Sequence, residues 1–467
     1  MKTKRLNILD ASWLYVESPT TPMQVGGLLT FKIPEGASAD FVSDVAADFR
    51  QQTDVYPPWN RRLKSTRLRT LTPTWVEDDN VDMDYHFRHS ALPRPGGERE
   101  LGTLISRLHS RPLDFRRPPW ECHLIEGLEN NRFAVYIKIH HALIDGISGM
   151  RLLAQALADS PKNLDQPPFW AVKPPSKKRS NSNAASAPSI GGALRTAFAD
   201  IVAQARNIPE VLQVAREAIS SARSEHDPLR APFDTPKSVL NGRISGNRRY
   251  ATQLYSLAHF KKLAEAADCT VNDVYLALCG ASLRRFLSEI DGLPKKSLTA
   301  GIPVSVRPKD DDEAGNAITF IIATMGTDIE DAGKRLQAIA ASTRSSKNLL
   351  QKLPSSAITS YTLAVMGPYV LSLITGLAGR IRPVFNITVS NVPGPQKPLY
   401  VKGAEMEAFY PSSLVTHGQG LNITCHGYED TLGIGLVGCR ETLPHMQKLA
   451  EYMGEALAEL DAIYLSK

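Results

Sequence analysis

Hydrophobic and polar positions along the chain change period several times. From residue 133 to 141 they alternate. Phe133, Val135, Ile137, Ile139 and His141 share one face, and Ala134, Tyr136, Lys138 and His140 share the other. A period of two predicts a strand. Beyond Gly146 the apolar positions are Met150, Leu153, Ala154 and Leu157, the i, i+3, i+4, i+7 spacing of an amphipathic helix. Upstream, residues 26–31 read as a short strand. Residues 38–51 place Phe41, Val45 and Phe49 on one helical face, and 101–108 form another short helix. The C-terminal half repeats the mixture. It predicts a helix over 271–287, strands near 298–306, 317–324 and 385–390, and a final helix over 445–464. A hairpin joins 421–425 to 432–437 through a turn that includes Tyr428, Glu429 and Asp430.

The two mixed α/β halves are separated by a change of composition. Residues 167–189 are rich in Pro, Ser, Lys and Arg and contain no acid, which predicts a linker or mobile surface loop. Helical stretches follow over about 190–223, and 241–246 read as a loop. The expected division is therefore 1–166, a linker with helical stretches over 167–240, and 241–467. Residues 353–379 carry no charge, and 363–379 are strongly apolar. A spanning helix needs about 20 mostly apolar residues. Pro368, Ser372 and Thr375 interrupt the run. Three readings stay open: a buried helical pair lining an apolar cavity, a surface that dips into lipid, and a span.

Composition narrows the function. With 467 residues and 42% hydrophobic positions the chain can bury a sizeable core. The net charge of +6 suits an acidic ligand or an anionic surface. The dense basic clusters of a duplex-binding protein are missing, so no nucleic-acid partner is expected. Five cysteines form no CxxC pair and no Cys/His ladder. That predicts a reduced, cytosolic setting and no metal site. The first nine residues hold charge but no apolar core, so no signal peptide is expected.

The sharpest chemical feature is His140-His141-Ala-Leu-Ile-Asp145-Gly146. Its four fixed positions would arise by chance in a chain of this composition with a probability of about 10⁻³. It lies where a strand ends and a helix begins, a place where α/β proteins put reactive groups. Adjacent strand side chains diverge, so the two histidines are not expected to chelate one metal.

This motif resembles the HHxxxDG signature of CoA-dependent and carrier-dependent acyltransferases. Other stretches resemble the bacterial wax ester synthase/diacylglycerol acyltransferase family in particular. They are Leu9-Asp10-Ala-Ser-Trp13 with Glu17 and Pro22-Met23-Gln-Val25-Gly26; Pro118-Pro119-Trp120-Glu121, with Pro119 where that family's PLW motif has leucine; Asn272-Asp273; and Ser390-Asn391-Val392-Pro393-Gly394-Pro395. They follow the family's order from residue 9 to 395. The DFGWG motif of the plant acyltransferase branch does not occur.

The resemblance implies an α/β fold of two chloramphenicol acetyltransferase-like domains, each a mixed sheet flanked by helices, with the active-site channel between them. It implies transfer of a long-chain acyl group from acyl-CoA to a fatty alcohol or diacylglycerol, with acyl-CoA as co-substrate and no cofactor. An alcohol becomes a good nucleophile only as its proton leaves, and histidine suits that role near neutral pH. By match to the second motif histidine, His141 is expected to be the general base and His140 to support it. Direct attack then needs no acyl-enzyme; Cys122 is the alternative nucleophile. Asp145 is expected to be structural, paired with Arg307 or, less favoured, Arg62. Gly146 would permit a tight turn and close approach of substrate. Asn272 is the candidate oxyanion donor, with helix capping as its competing role and Thr270 as a rival cap. Asn391 is expected to form a turn. The charge-free 353–379 run could wall a channel for long acyl chains. Peripheral contact with a membrane or lipid inclusion is expected from a cytoplasmic location, because the products are nearly insoluble in water.

Overall fold

A computed structural model of the chain describes residues 3–6, 8–65, 73–144, 146–173, 228–305, 318–352 and 355–466. The expected linker beyond residue 173, the helical stretches over 190–223, Asp145 and Arg307 lie outside the described residues.

In chain order the first elements are β1 (Thr3–Arg5), α1 (Ile8–Val16), β2 (Gln24–Lys32), α2 (Phe41–Gln51), β3 (Arg61–Leu63) and β4 (Thr74–Glu77). Then come α3 (Met83–His86), β5 (Phe87–Ala91), α4 (Glu98–Ser110), β6 (Trp120–Leu128), β7 (Arg132–His140) and α5 (Gly146–Gln155). After residue 228 the strands are β8 (Arg248–Ser256), β9 (Thr299–Ser305), β10 (Ile318–Thr324), β11 (Ile387–Val392), β12 (Tyr400–Val401), β13 (Ala404–Ser412), β14 (Leu421–Tyr428) and β15 (Thr431–Cys439).

The chain forms two compact units. One is Met1–Asp200 with Pro393–Ser412; the other is Ile201–Val392 with Ser413–Lys467. Each holds a six-stranded mixed sheet. The first sheet has the order β12-β13-β2-β7-β6-β5, and the second β10-β9-β11-β14-β15-β8. In the first, β5 and β6 run parallel and the other neighbours antiparallel. In the second, β11 lies parallel to both β9 and β14.

The first sheet draws on a distant piece of chain. β13 pairs antiparallel with β2, Tyr410 opposite Leu28. The Pro393–Ser412 segment was expected within 241–467 and instead completes the first unit. Its strand alternates weakly in sequence (AEMEAFYPS), so hydrophobic period did not mark it. At Gly27 a Cβ would come within 2.2 Å of the Phe409 ring, so the glycine makes room for that ring on β2.

The second unit is organised by the helix Val271–Glu289, which buries Val274, Leu278, Leu283 and Leu287 against the sheet and the helices Ala332–Gln351 and Lys448–Tyr464. Its start is fixed by Asn272-Asp273. Thr270 is the N-cap, its hydroxyl accepting from Asp273 N at 3.3 Å, while Asp273 Oδ2 accepts from Thr270 N at 3.0 Å. This is a capping box with Asp in the third position. Asp273 Oδ1 also accepts from Thr343 Oγ1 at 2.6 Å. The part played by Asp273 is thus mechanical: it ties one helix to the next.

The charge-free 353–379 run forms one continuous helix, Ser355–Ile374, with Pro368 inside it, followed by a turn. A helical pair is not formed: proline removes one hydrogen bond, and packing against the sheet carries the helix through. Val365 is buried against Ile322, Val384 and Phe385. Leu371 and Ile374 are 52% and 48% exposed. Among the described residues no helix is long and apolar enough to cross a membrane.

Asp273→Ala should lower unfolding free energy by about 2 kcal/mol, through the lost cap and the orphaned Thr343 hydroxyl. A urea midpoint that falls with an unchanged slope would show it.

Candidate active site

β7 delivers the two histidines, but it ends at His140. His141 is the first residue of the following turn, so strand alternation stops one residue before it. Backbone bonds fix the pair from two sides. His140 N donates to Pro119 O at 3.0 Å, and His141 N donates to Met23 O at 2.9 Å. Both acceptors belong to the motifs read from the sequence. At position 119 the carbonyl does the holding, which is why proline serves where leucine was expected. Trp120, fully buried, anchors the same corner through an indole bond to Trp59 O at 2.7 Å.

His140 is 1% exposed and bonded at both ring nitrogens. Ala142 N donates to its Nδ1 at 3.1 Å, so Nδ1 carries no proton. The neutral ring is therefore the Nε2–H tautomer, and Nε2 lies 3.3 Å from Glu17 Oε2. That same carboxylate oxygen accepts from Met23 N at 2.5 Å. Glu17 thus joins His140 to the backbone residue that holds His141. Phe115 meets His140 edge-on at 4.9 Å between ring centroids.

His141 is more open than His140. Its imidazole lies parallel to the indole of Trp13, with centroids 4.0 Å apart and planes 23° from each other. Trp13 in α1 and Glu17, the residue just past its end, each meet one of the two histidines. The sequence carried both residues only as family markers. No pattern in the sequence links them to the histidines far along the chain.

Beneath the pair lies a buried ionic cluster. Lys138, fully buried, donates to Glu121 Oε2 at 3.1 Å, and to Leu108 O and Arg111 O at 3.0 Å each. All three ammonium protons find acceptors. Arg88 Nη1 and His123 Nε2 also reach Glu121 Oε2, at 3.2 and 3.3 Å. Burial alone would raise the Glu121 carboxyl, but the His123 bond and the Lys138 and Arg88 charges hold it down at about 2.

The remaining expected residues are placed as follows. Gly146 opens α5, exposed, with φ outside the left-handed region, and a Cβ there would meet nothing within 4 Å. Arg62 Nε is engaged by Asp78 Oδ2 at 3.0 Å. Cys122 is buried in β6, and burial pushes its thiol far above the range in which a thiolate forms at neutral pH. It offers no nucleophile. Asn272 sits second in its helix; with Thr270 as cap, it has no capping duty. Asn391 belongs to β11 rather than to a turn, paired with Cys425. The strand continues two residues past its apolar run because parallel pairing to β14 satisfies the polar backbone. Among the described residues no group of three His, Cys, Asp or Glu side chains could hold a metal ion.

Solved structures define the class. The first condensation domain of the CDA synthetase matches with a TM-score of 0.56 at 14% identity, over 99% of this chain and 97% of that one, a likeness of fold. A wax ester synthase/diacylglycerol acyltransferase from Marinobacter aquaeolei matches with a TM-score of 0.79 at 37% identity, over 99% of both chains. The protein is thus a two-unit acyltransferase fold of the kind those enzymes share.

The wax ester synthase/diacylglycerol acyltransferase catalytic-domain model matches residues 6–275, and the C-terminal-domain model of the same family matches 314–461. The O-acyltransferase WSD of Acinetobacter baylyi is 38% identical over 98% of this chain and 97% of its own length. A Mycobacterium tuberculosis relative, provisionally named a diacylglycerol O-acyltransferase, is 44% identical over 98% and 97%. The chain belongs to the wax ester synthase/diacylglycerol acyltransferase family.

The depressed Glu121 carboxyl gives a pH prediction. A carboxyl held below its unfolded value, near 4.3, adds stability above that value and loses it as pH falls toward about 2. Thermal stability should therefore drop between about pH 5 and 2. Glu121→Gln should lower it by about 3 kcal/mol at pH 7, by leaving Lys138 without its counter-ion, and flatten the acid limb.

Proposed function

We propose that this O-acyltransferase moves a long-chain acyl group from acyl-CoA to the hydroxyl of a fatty alcohol or a diacylglycerol, with His141 as general base. The observation that carries the assignment is the asymmetry of the two histidines. His140 is buried, bonded at both nitrogens and committed to Glu17. His141 lies one residue past the strand, less buried, with its backbone N–H donating to Met23 O and its ring stacked on Trp13.

The step balances without an acyl-enzyme. The alcohol proton passes to His141 as the oxygen attacks the thioester carbonyl, whose electrons move onto oxygen. The C–S bond then breaks, the thiolate of CoA takes the proton from the imidazolium, and ester and free CoA leave a neutral His141. Asp145 is assigned a structural part, paired with Arg307. Asn272 is assigned the oxyanion donor, supported by the absence of any capping duty. Acyl-CoA serves as co-substrate, and no further cofactor is invoked.

His141→Ala should lower kcat by about 10²–10⁴-fold at an unchanged melting temperature, in assays with palmitoyl-CoA and hexadecanol, diacylglycerol or a long-chain amine. His140→Ala should cost less in kcat and more in stability. More than about a tenth of kcat left in His141→Ala, or transfer to the amine alone, would overturn the assignment.

A lipid surface is the proposed place of work, reached from the cytoplasm by peripheral contact. Leu371, Ile374, Leu377 and Ile381 are each 45–52% exposed at the end of helix Ser355–Ile374 and in the turn beyond it. Exposed Arg243, Arg380 and Arg382 accompany them, and Arg243 reaches Gly376 O at 3.4 Å. No Asp or Glu occurs anywhere between Asp331 and Glu405. Apolar side chains ringed by arginine match an anionic headgroup layer, at about 1 kcal/mol per cation. The protein should co-sediment with vesicles containing phosphatidylglycerol at low salt and release as salt rises. Leu371→Ser combined with Ile374→Ser should abolish the binding. Pelleting of that variant equal to wild type would contradict this surface.

A further inference from the structure

We infer that Trp13 is a positioning residue for the reaction: its indole face sets the plane of the His141 ring and stabilises the imidazolium formed when the alcohol proton is taken. The inference rests on the assignment of His141 as base.

The geometry is specific. Centroids 4.0 Å apart and planes 23° from parallel put the imidazole on the indole face, rather than at its edge. Indole is the strongest cation–π partner among the side chains, and a ring that gains positive charge during the step gains most from it. The neutral ring gains less, so the contact favours the charged state along the reaction path. Stacking also restricts the rotation of an imidazole whose backbone is already fixed by Met23 O.

Trp13 is itself held rigidly. It packs beside Leu14, Trp75 and Ala142 in a small core that includes both α1 and the residue after His141. Four residues on, Glu17 fixes the His140 tautomer and accepts from Met23 N. α1 and the residue just after it therefore grip both members of the pair, His140 through a hydrogen bond and His141 through a ring face. A tryptophan whose duty was packing alone would have no need to lie parallel to the imidazole.

Two substitutions separate the roles. Trp13→Phe keeps an aromatic face. Trp13→Met keeps an apolar, adaptable side chain of similar reach but no ring. With palmitoyl-CoA and hexadecanol, Trp13→Phe should hold kcat within about threefold of wild type. Trp13→Met should lose about tenfold or more in kcat, with KM for palmitoyl-CoA within about twofold and the melting temperature of Trp13→Phe. Equal kcat in the two variants, or a Trp13→Met protein that loses its fold while Trp13→Phe keeps it, would show a packing role and overturn the inference. His141→Ala measured alongside keeps the two claims apart. Full activity there removes the base itself, whereas loss there with full activity in Trp13→Met removes only the part given to Trp13.

Discussion

The site depends on one buried hydrogen-bonded ring. His140 accepts from Ala142 N and faces Glu17, so its tautomer, its plane and the course of the next two residues are set together. A buried imidazole with one unmet nitrogen would cost roughly 1–3 kcal/mol, so the geometry is not free to drift. The chain cannot place His140 this way without also placing His141, whose backbone N–H donates to Met23 O. The partly open ring is thus presented by a closed one.

The rest of the first unit supports that presentation. β7 is flanked by β2 and β6, and both neighbours bring a motif to the strand end: Met23 and Gln24 from β2, Pro119 and Trp120 from the start of β6. Lys138, two residues before His140, is neutralised by Glu121 from the same β6 motif. Buried ion pairs add little net stability as a rule. Here the pair sets the register of β6 against β7, since a slip of one residue would turn Lys138 and Glu121 to opposite faces. α1 then closes over the strand end with Trp13 and Glu17. Stability and chemistry therefore draw on the same few contacts.

Much of this was legible in the sequence wherever one residue type had one physical reason. The clean alternation of 133–140 marked β7, and Thr270 was legible as a rival cap at the helix start, whereas the capping part of Asp273 was not read. The histidine pair stood out because so few positions had to match. Less visible were elements whose stability comes from partners far along the chain. β13 joins the first sheet from residue 404 onward, and β8 carries Arg248, Arg249, Thr252 and Gln253, which hide its strand character. The different placing of the two histidines was half legible. Alternation separates their faces, but it fails at His141, where the strand has already ended. Glu17 and Trp13 were read as markers because nothing in a linear pattern shows that a helix end reaches a strand end.

The central claim is direct transfer from thioester to alcohol with His141 as base and no acyl-enzyme. Intact-protein mass spectrometry tests it most directly, on enzyme mixed with palmitoyl-CoA in the absence of any alcohol. The account predicts unmodified protein and no burst of free CoA, with CoA release beginning only when hexadecanol is added. A palmitoylated enzyme formed at the rate of turnover, whether on a cysteine, a serine or a histidine, would contradict it.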